Sequence, residues 1–167
     1  PFNNHKDPDI TYIIQASEGL AEVMSSETLV ILKSTTFPGT TEDYVRPLLD
    51  RSGLVLGQGY FLAFSPERVD PGNTVWHTGN TPIVVGGVDE PSAILASWAN
   101  NQIIEQVYRV NSPKVAELEK LLENIFRSVN IALVNELAML CERMGGINVW
   151  EVIEAASTKP FGFLKFT

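Results

Sequence analysis

Three small groups of residues in this chain have the types and spacing to do chemistry. Lys120 and Asn124 are four apart, so on a helix they share one face, and an ammonium and an amide one turn apart can point donors at a single developing negative charge. Ser65-Pro66-Glu67-Arg68 projects a carboxylate that can relay a proton, and Lys33-Ser34-Thr35-Thr36 offers hydroxyls and backbone donors. Each group also has a plain explanation. Ser/Thr runs are ordinary turn and capping material, a Glu beside an Arg in a loop is usually a solvated pair worth under ~1 kcal/mol, and a helical lysine is normally exposed. Asn124 is less comfortable, because asparagine disfavours helix interiors and here lies between Glu123 and Ile125.

The elements that must position these groups are legible in the apolar pattern. Lys33 follows the apolar run Thr28-Leu-Val-Ile-Leu32, and Ser65 follows Tyr60-Phe-Leu-Ala-Phe64. Continuous apolar runs of this length predict strands buried on both faces of a parallel sheet, and ligands of such sheets bind outside the carboxyl ends of the strands. Pro82-Ile-Val-Val85 predicts a third strand and Glu105-Gln-Val-Tyr108 a weaker fourth. Helices are expected from Asp9, as cap, to about Ser25, from a Thr40 or Thr41 cap to near Gly53, and from Pro91 to Asn100. Strand and helix alternate to residue 110, which gives an α/β fold with adjacent parallel strands, and Thr35 and Glu67 should share one edge of the sheet. Gly86-Gly87 reads as a turn into the next helix, and the opening Pro1 to Pro8 as a loop.

Residues 112–146 predict one long helix, with Ser112 capping it, Pro113 at its first position and Gly145-Gly146 ending it. Val115, Leu118, Leu122, Ile125 and Val129 make its first half amphipathic, while Ile131 to Met144 is apolar nearly all round and should be core or a seam against a second subunit. Asn148 and Glu151 form a capping box for a following helix through Ala156.

Composition narrows the function classes. With 44% hydrophobic residues in 167 the chain is globular, and it has no apolar run of the ~20 residues needed to cross a bilayer and no signal-peptide pattern, so a cytoplasmic location is expected. A net charge of −8 without a basic cluster argues against nucleic acid. His5 and His77 suggest no metal site, and the single cysteine, Cys141, is expected buried and inert in the long helix. No GxGxxG loop follows any strand.

Together the motifs are specific. Ser34-Thr-Thr-Phe-Pro-Gly-Thr-Thr-Glu42, Phe64-Ser-Pro-Glu-Arg-Val-Asp-Pro-Gly-Asn73, Lys120-Leu-Leu-Glu-Asn124 with Val129-Asn-Ile-Ala-Leu-Val-Asn-Glu136, and Lys159-Pro-Phe-Gly-Phe163 closely resemble the UDP-glucose/GDP-mannose dehydrogenase family. They are most similar to the branch that oxidises UDP-N-acetylhexosamines, and the resemblance runs from His5 to Phe163. It implies the later part of an NAD-binding Rossmann domain over residues 1–110, then over 111–167 a long central helix and the start of a helical dimerisation region. The implied activity is two-step oxidation of the sugar C6 alcohol of a UDP-sugar to a uronic acid, with NAD as cofactor, a homodimer as the assembly and a cysteine holding the aldehyde.

Residue by residue, Thr35 resembles the threonine near the nicotinamide, with Ser34 beside it at the cofactor. Glu67 resembles the glutamate that handles water or protons in thioester hydrolysis, and Lys120 and Asn124 the pair that stabilises the oxyanion at C6. Arg68, Val69 and Asp70 fall with Glu67 at the substrate. The family's glycine-rich cofactor loop should precede Pro1 and its Gly-Gly-His-Cys nucleophile should follow Phe166, so this chain alone is expected to be inactive. Two other readings compete: an assembly fragment that dimerises without catalysis, and a β-hydroxyacid dehydrogenase relative, which would not explain Ser65-Pro-Glu67.

Overall fold

The computed structural model describes residues 8–166, so the opening loop, with His5, lies outside the described residues except for Pro8. The chain divides into two compact units, with the boundary between Leu121 and Leu122.

The first unit is built on a four-stranded sheet in the order β1 (Thr28–Leu32), β2 (Tyr60–Phe64), β3 (Ile83–Gly87), β4 (Val107–Val110). β1 and β2 run parallel, with Thr28 opposite Tyr60 and Leu32 opposite Phe64, and β3 and β4 are parallel as well. β2 and β3 are antiparallel, which corrects the expectation of three adjacent parallel strands. An apolar run records burial and carries no direction, and the junction itself is short. The pairing covers only Ala63 with Gly87 and Phe64 with Gly86, and just beyond it the Leu62 amide donates to Ser92 Oγ at 3.0 Å while Val88 N–H donates to Leu62 O at 2.9 Å. A buried side-chain hydroxyl thus completes the hydrogen bonding that a longer ladder would supply.

Alternate residues of the strands feed two cores, as the period of two requires. On one face, Tyr60 and Leu62 pack with Val45 and Leu49, joined by Ile13 and Leu20 of α1 (Thr11–Val23). On the other, Ala63, Ile83 and Val85 pack with Ala96 of α3 (Glu90–Asn101). Residues 40–52 are a π-type turn (Thr40–Val45), a single α-helical turn, α2 (Arg46–Leu49), and a 3-10 turn that stops at Gly53 in the left-handed conformation, φ +78.

Several boundaries differ from expectation. α1 begins two residues after Asp9, whose carboxylate accepts from Thr11 N–H at 3.0 Å. Neither Thr40 nor Thr41 caps the next helix, because the residue at that position is Gly39, φ +100. β4 lies two residues later than expected. Gly86 and Gly87 belong to β3 and are not a turn: a Cβ on Gly86 would lie 2.3 Å from Ser112 O, and one on Gly87 2.3 Å from Ala93 N. Glycine is needed there because two helices press on the strand from opposite faces.

α4 (Pro113–Met144) starts and stops where the sequence placed it, with Val115 N–H 3.4 Å from Ser112 Oγ and Gly145 and Gly146 at φ +73 and +70. Its first turns bury Pro113, Ala116, Glu117 and Lys120, with Ala116 packed on Phe64 and Val84 of the sheet, while the apolar stripe through Val115, Leu118, Leu122, Ile125 and Val129 is exposed in the single chain. Cys141 is half-buried there, not enclosed.

The second unit holds the rest of α4 and α5 (Val149–Ser157), which Asn148 caps by accepting from Trp150 N–H at 3.0 Å. Phe126 and Phe166 meet edge to face at 5.6 Å. Among the described residues no helix is long and apolar enough to cross a membrane and no cluster of metal-ligating side chains occurs.

Because Gly87 contacts backbone, Gly87→Ala should overpack the junction and lower unfolding stability by about 1–3 kcal/mol, read as a lower urea midpoint at unchanged slope.

Candidate active site

The β1–β2 register ends both strands at one level, and the two polar loops leave from the same edge. Ser65 N–H still donates to Leu32 O at 3.0 Å, after which the chains diverge. Ser34 and Thr35 are exposed at that edge, while Thr36 is buried. Across from them Glu67 is set by its own backbone: its Oε1 accepts from Arg68 N–H and Val69 N–H, both at 2.9 Å. Its Oε2 lies 3.8 Å from Lys33 Nζ, where the two loops come together.

These surroundings hold the Glu67 carboxyl below the usual glutamate range. The amide of Val69 is the largest cause, burial opposes it, and the amide of Arg68 and the charges of Lys33 and Lys120 add to the lowering. Lys120 is thus within electrostatic reach of Glu67 although 53 residues separate them. It is buried, at 9% exposure, on the inner face of α4.

Arg68 turns its guanidinium inward: Nη1 donates to Pro82 O at 2.8 Å and Nη2 lies 3.2 Å from Glu119 Oε1 on α4. Those two contacts make Arg68 a tie between its own loop, the residue before β3 and α4. Val69 is half-buried, and Asp70 is exposed in a turn whose carbonyl accepts from Asn73 N–H. Asn124 belongs to the second unit, where Arg127 Nη2 donates to its Oδ1 at 3.0 Å.

One buried carboxylate escaped the sequence, and one hydroxyl of the Ser65-Pro66-Glu67-Arg68 motif is buried. Glu117, fully buried, accepts hydrogen bonds from Gly39 and Thr41, and Ser65 Oγ is buried with no hydrogen-bond partner among the described residues. A Glu in a helix carries no local mark of burial. Its three-residue spacing from Lys120 is the only signal that could have drawn attention to it.

A mostly parallel α/β sheet with hydroxyl, carboxylate and ammonium groups brought to its carboxyl edge is the architecture of a Rossmann-type dehydrogenase. The chain belongs to the UDP-glucose/GDP-mannose dehydrogenase family: residues 1–112 match that family's NAD binding domain and residues 114–167 its central domain. It is 38% identical over 168 residues to UDP-N-acetyl-D-glucosamine 6-dehydrogenase of Pseudomonas aeruginosa, covering 99% of this chain and 39% of that protein. It is 42% identical over 154 residues to UDP-N-acetyl-D-mannosamine dehydrogenase of Pyrococcus horikoshii, covering 92% and 37%. The solved structure of UDP-D-ManNAc dehydrogenase from Pyrococcus horikoshii superposes with a TM-score of 0.88 at 40% identity, over 97% of this chain and 38% of that one. The chain therefore spans roughly two fifths of the length of these relatives.

The lowered Glu67 value has a consequence for stability. A carboxyl whose folded value is depressed stabilises the fold fully above its unfolded value, near pH 4.5, and loses that contribution as pH falls through the folded value. The stability difference between wild type and Glu67→Gln should accordingly be present at neutral pH and shrink below pH ~4. Urea unfolding at several pH values measures it.

Proposed function

We propose that the complete protein is an NAD-dependent UDP-sugar 6-dehydrogenase, oxidising the C6 alcohol of a UDP-N-acetylhexosamine to the uronic acid for polysaccharide precursor synthesis in the cytoplasm. The observation that carries this reading is the meeting, where the two strands end, of the Glu67 carboxylate, 3.8 Å from Lys33 Nζ, with the buried Lys120 within its electrostatic reach. The names of the relatives support the substrate class.

The donor set at the edge fits NAD. Ser34 and Thr35 are exposed hydroxyl residues at the carboxyl end of a parallel strand, and they supply the donors and acceptors that a carboxamide or ribose requires. Bound there, NAD would supply the hydride acceptor for each of the two oxidations at the sugar carbon. The residues of this chain do the rest. Lys120 directs a buried ammonium at the oxygen that gains charge at C6, and Asn124, four residues on, adds an amide donor.

Glu67 accepts a proton or orients the attacking water in the hydrolytic step. Two backbone amides keep its orientation fixed, and with its carboxyl held below the usual glutamate range it is suited to orienting water as a carboxylate. Arg68 holds the loop that presents Glu67, Val69 and Asp70.

The exposed apolar stripe of α4 supports a homodimer formed through that helix, an isologous contact in which one face meets its own copy. Leu122, Ile125, Val129 and Leu133 are each more than half exposed in the single chain, an unusual amount of aliphatic surface for one helix. The residues 1–110 and 111–167 would then correspond to the cofactor and dimerisation regions.

Three outcomes test the proposal in the full-length protein. Lys120→Ala should lower turnover by roughly 10²-fold or more with a smaller effect on sugar-nucleotide affinity, and wild-type turnover would refute the assignment. Glu67→Gln should slow hydrolysis so that the cysteine-bound acyl intermediate accumulates, visible as added protein mass. Light scattering should give a dimeric mass, and a monomer with α4 well ordered would exclude the interface.

A further inference from the structure

Glu117 is the one acidic residue among the described residues that is withdrawn completely from solvent, and the reaction proposed above does not use it. A carboxylate removed from water persists only when donors replace its hydration. Here three do, all from one short stretch of the segment that follows β1. Gly39 N–H donates to Oε2 at 2.6 Å, and Thr41 donates to Oε1 through both its amide, at 2.8 Å, and its hydroxyl, at 2.7 Å.

The stretch they come from has little freedom of its own. Gly39 holds φ +100, Thr40 and Thr41 are fully buried, and residues 40–45 form a π-type turn, a conformation often found at functional sites. The same two elements are tied again at their rim, where Lys114 Nζ lies 3.7 Å from Glu42 and 3.4 Å from Asp43. Thr35 lies four residues before Gly39, and Lys120 lies three residues after Glu117 on the buried face of α4. The carboxylate therefore sits between the loop that carries one proposed site residue and the helix that carries another.

We propose that Glu117 is a positioning residue: through Gly39 and Thr41 it sets the level at which the Thr35 loop meets Lys120. The inference rests on the function proposed above. Glutamine cannot take over, because its amide end would set N–H against N–H at either Gly39 or Thr41. Thr41→Val removes one of the three hydrogen bonds and leaves both amides in place, and Thr41→Ser restores the hydroxyl.

The test uses the full-length enzyme with Glu117→Gln, Thr41→Val, Thr41→Ser and, as a reference, Lys120→Ala. Hydrogen exchange of the peptide covering residues 37–45 should accelerate in Glu117→Gln and Thr41→Val while exchange in β3 stays unchanged. Turnover per folded active site should fall roughly 10- to 100-fold in Glu117→Gln, the scale set by a misplacement of about 1 Å, and less in Thr41→Val. The sugar-nucleotide KM should change by less than about threefold, and Thr41→Ser should recover most of the turnover. Normal turnover per folded site despite faster exchange would show a merely structural role and overturn the inference, as would lowered turnover with unchanged exchange. If Glu117→Gln fails to fold, the Thr41 pair carries the same comparison. Wild-type turnover in Lys120→Ala would overturn the underlying function; impaired Lys120→Ala beside normal Glu117→Gln and Thr41→Val would overturn only the positioning role.

Discussion

The parallel register of β1 and β2 is the constraint on which the rest depends. Because Leu32 stands opposite Phe64, the chain leaves the sheet at the same level twice, 32 residues apart, and each time into polar sequence. A slip of one residue would move Tyr60 and Leu62 from the α1 side to the α3 side, so the two cores lock the register. Lys33 and Glu67 are then neighbours by construction, and their ion pair, exposed on both sides, is a result of the register more than a cause of it.

Much of this was legible in the chain. The bounds of β1 and β2 coincide with the apolar runs, and α4 starts at the Ser-Pro pair and stops at the two glycines, since these features act on local backbone conformation alone. The direction of β3 was not legible: an apolar run records burial on two faces but has no arrow, and the Ser92 hydroxyl that completes the hydrogen bonding at its junction with β2 lies beyond the strand. Gly86-Gly87 looked like a turn because glycine pairs usually are, and only the approach of two helices shows otherwise.

The site was half visible. Glu67 and Lys120 stand out by residue type and motif, but the apolar pattern of α4 does not say which of its sides meets the sheet. Its apolar stripe is outward in this chain, while Ala116, Glu117 and Lys120 are the buried side. Hydrophobic periodicity reports how much apolar surface a helix offers and not which neighbour it faces. Glu117 stayed hidden for a related reason: its hydrogen-bond donors lie 76 and 78 residues earlier, and no window along the chain contains both ends.

The contact between β3 and the start of α4 has a consequence for how the sequence can change. Gly86 lies against the carbonyl oxygen and carbon of Ser112 and the Cα of Pro113, which are all backbone atoms. When two side chains touch, growth of one can be offset by shrinkage of the other, and such positions drift as pairs. Here the opposing surface has no side-chain volume to give up, so no second-site substitution at 112 or 113 can suppress a larger residue at 86. Related sequences should therefore show this position as constant but uncorrelated with its spatial neighbours, a close contact that covariation would not detect.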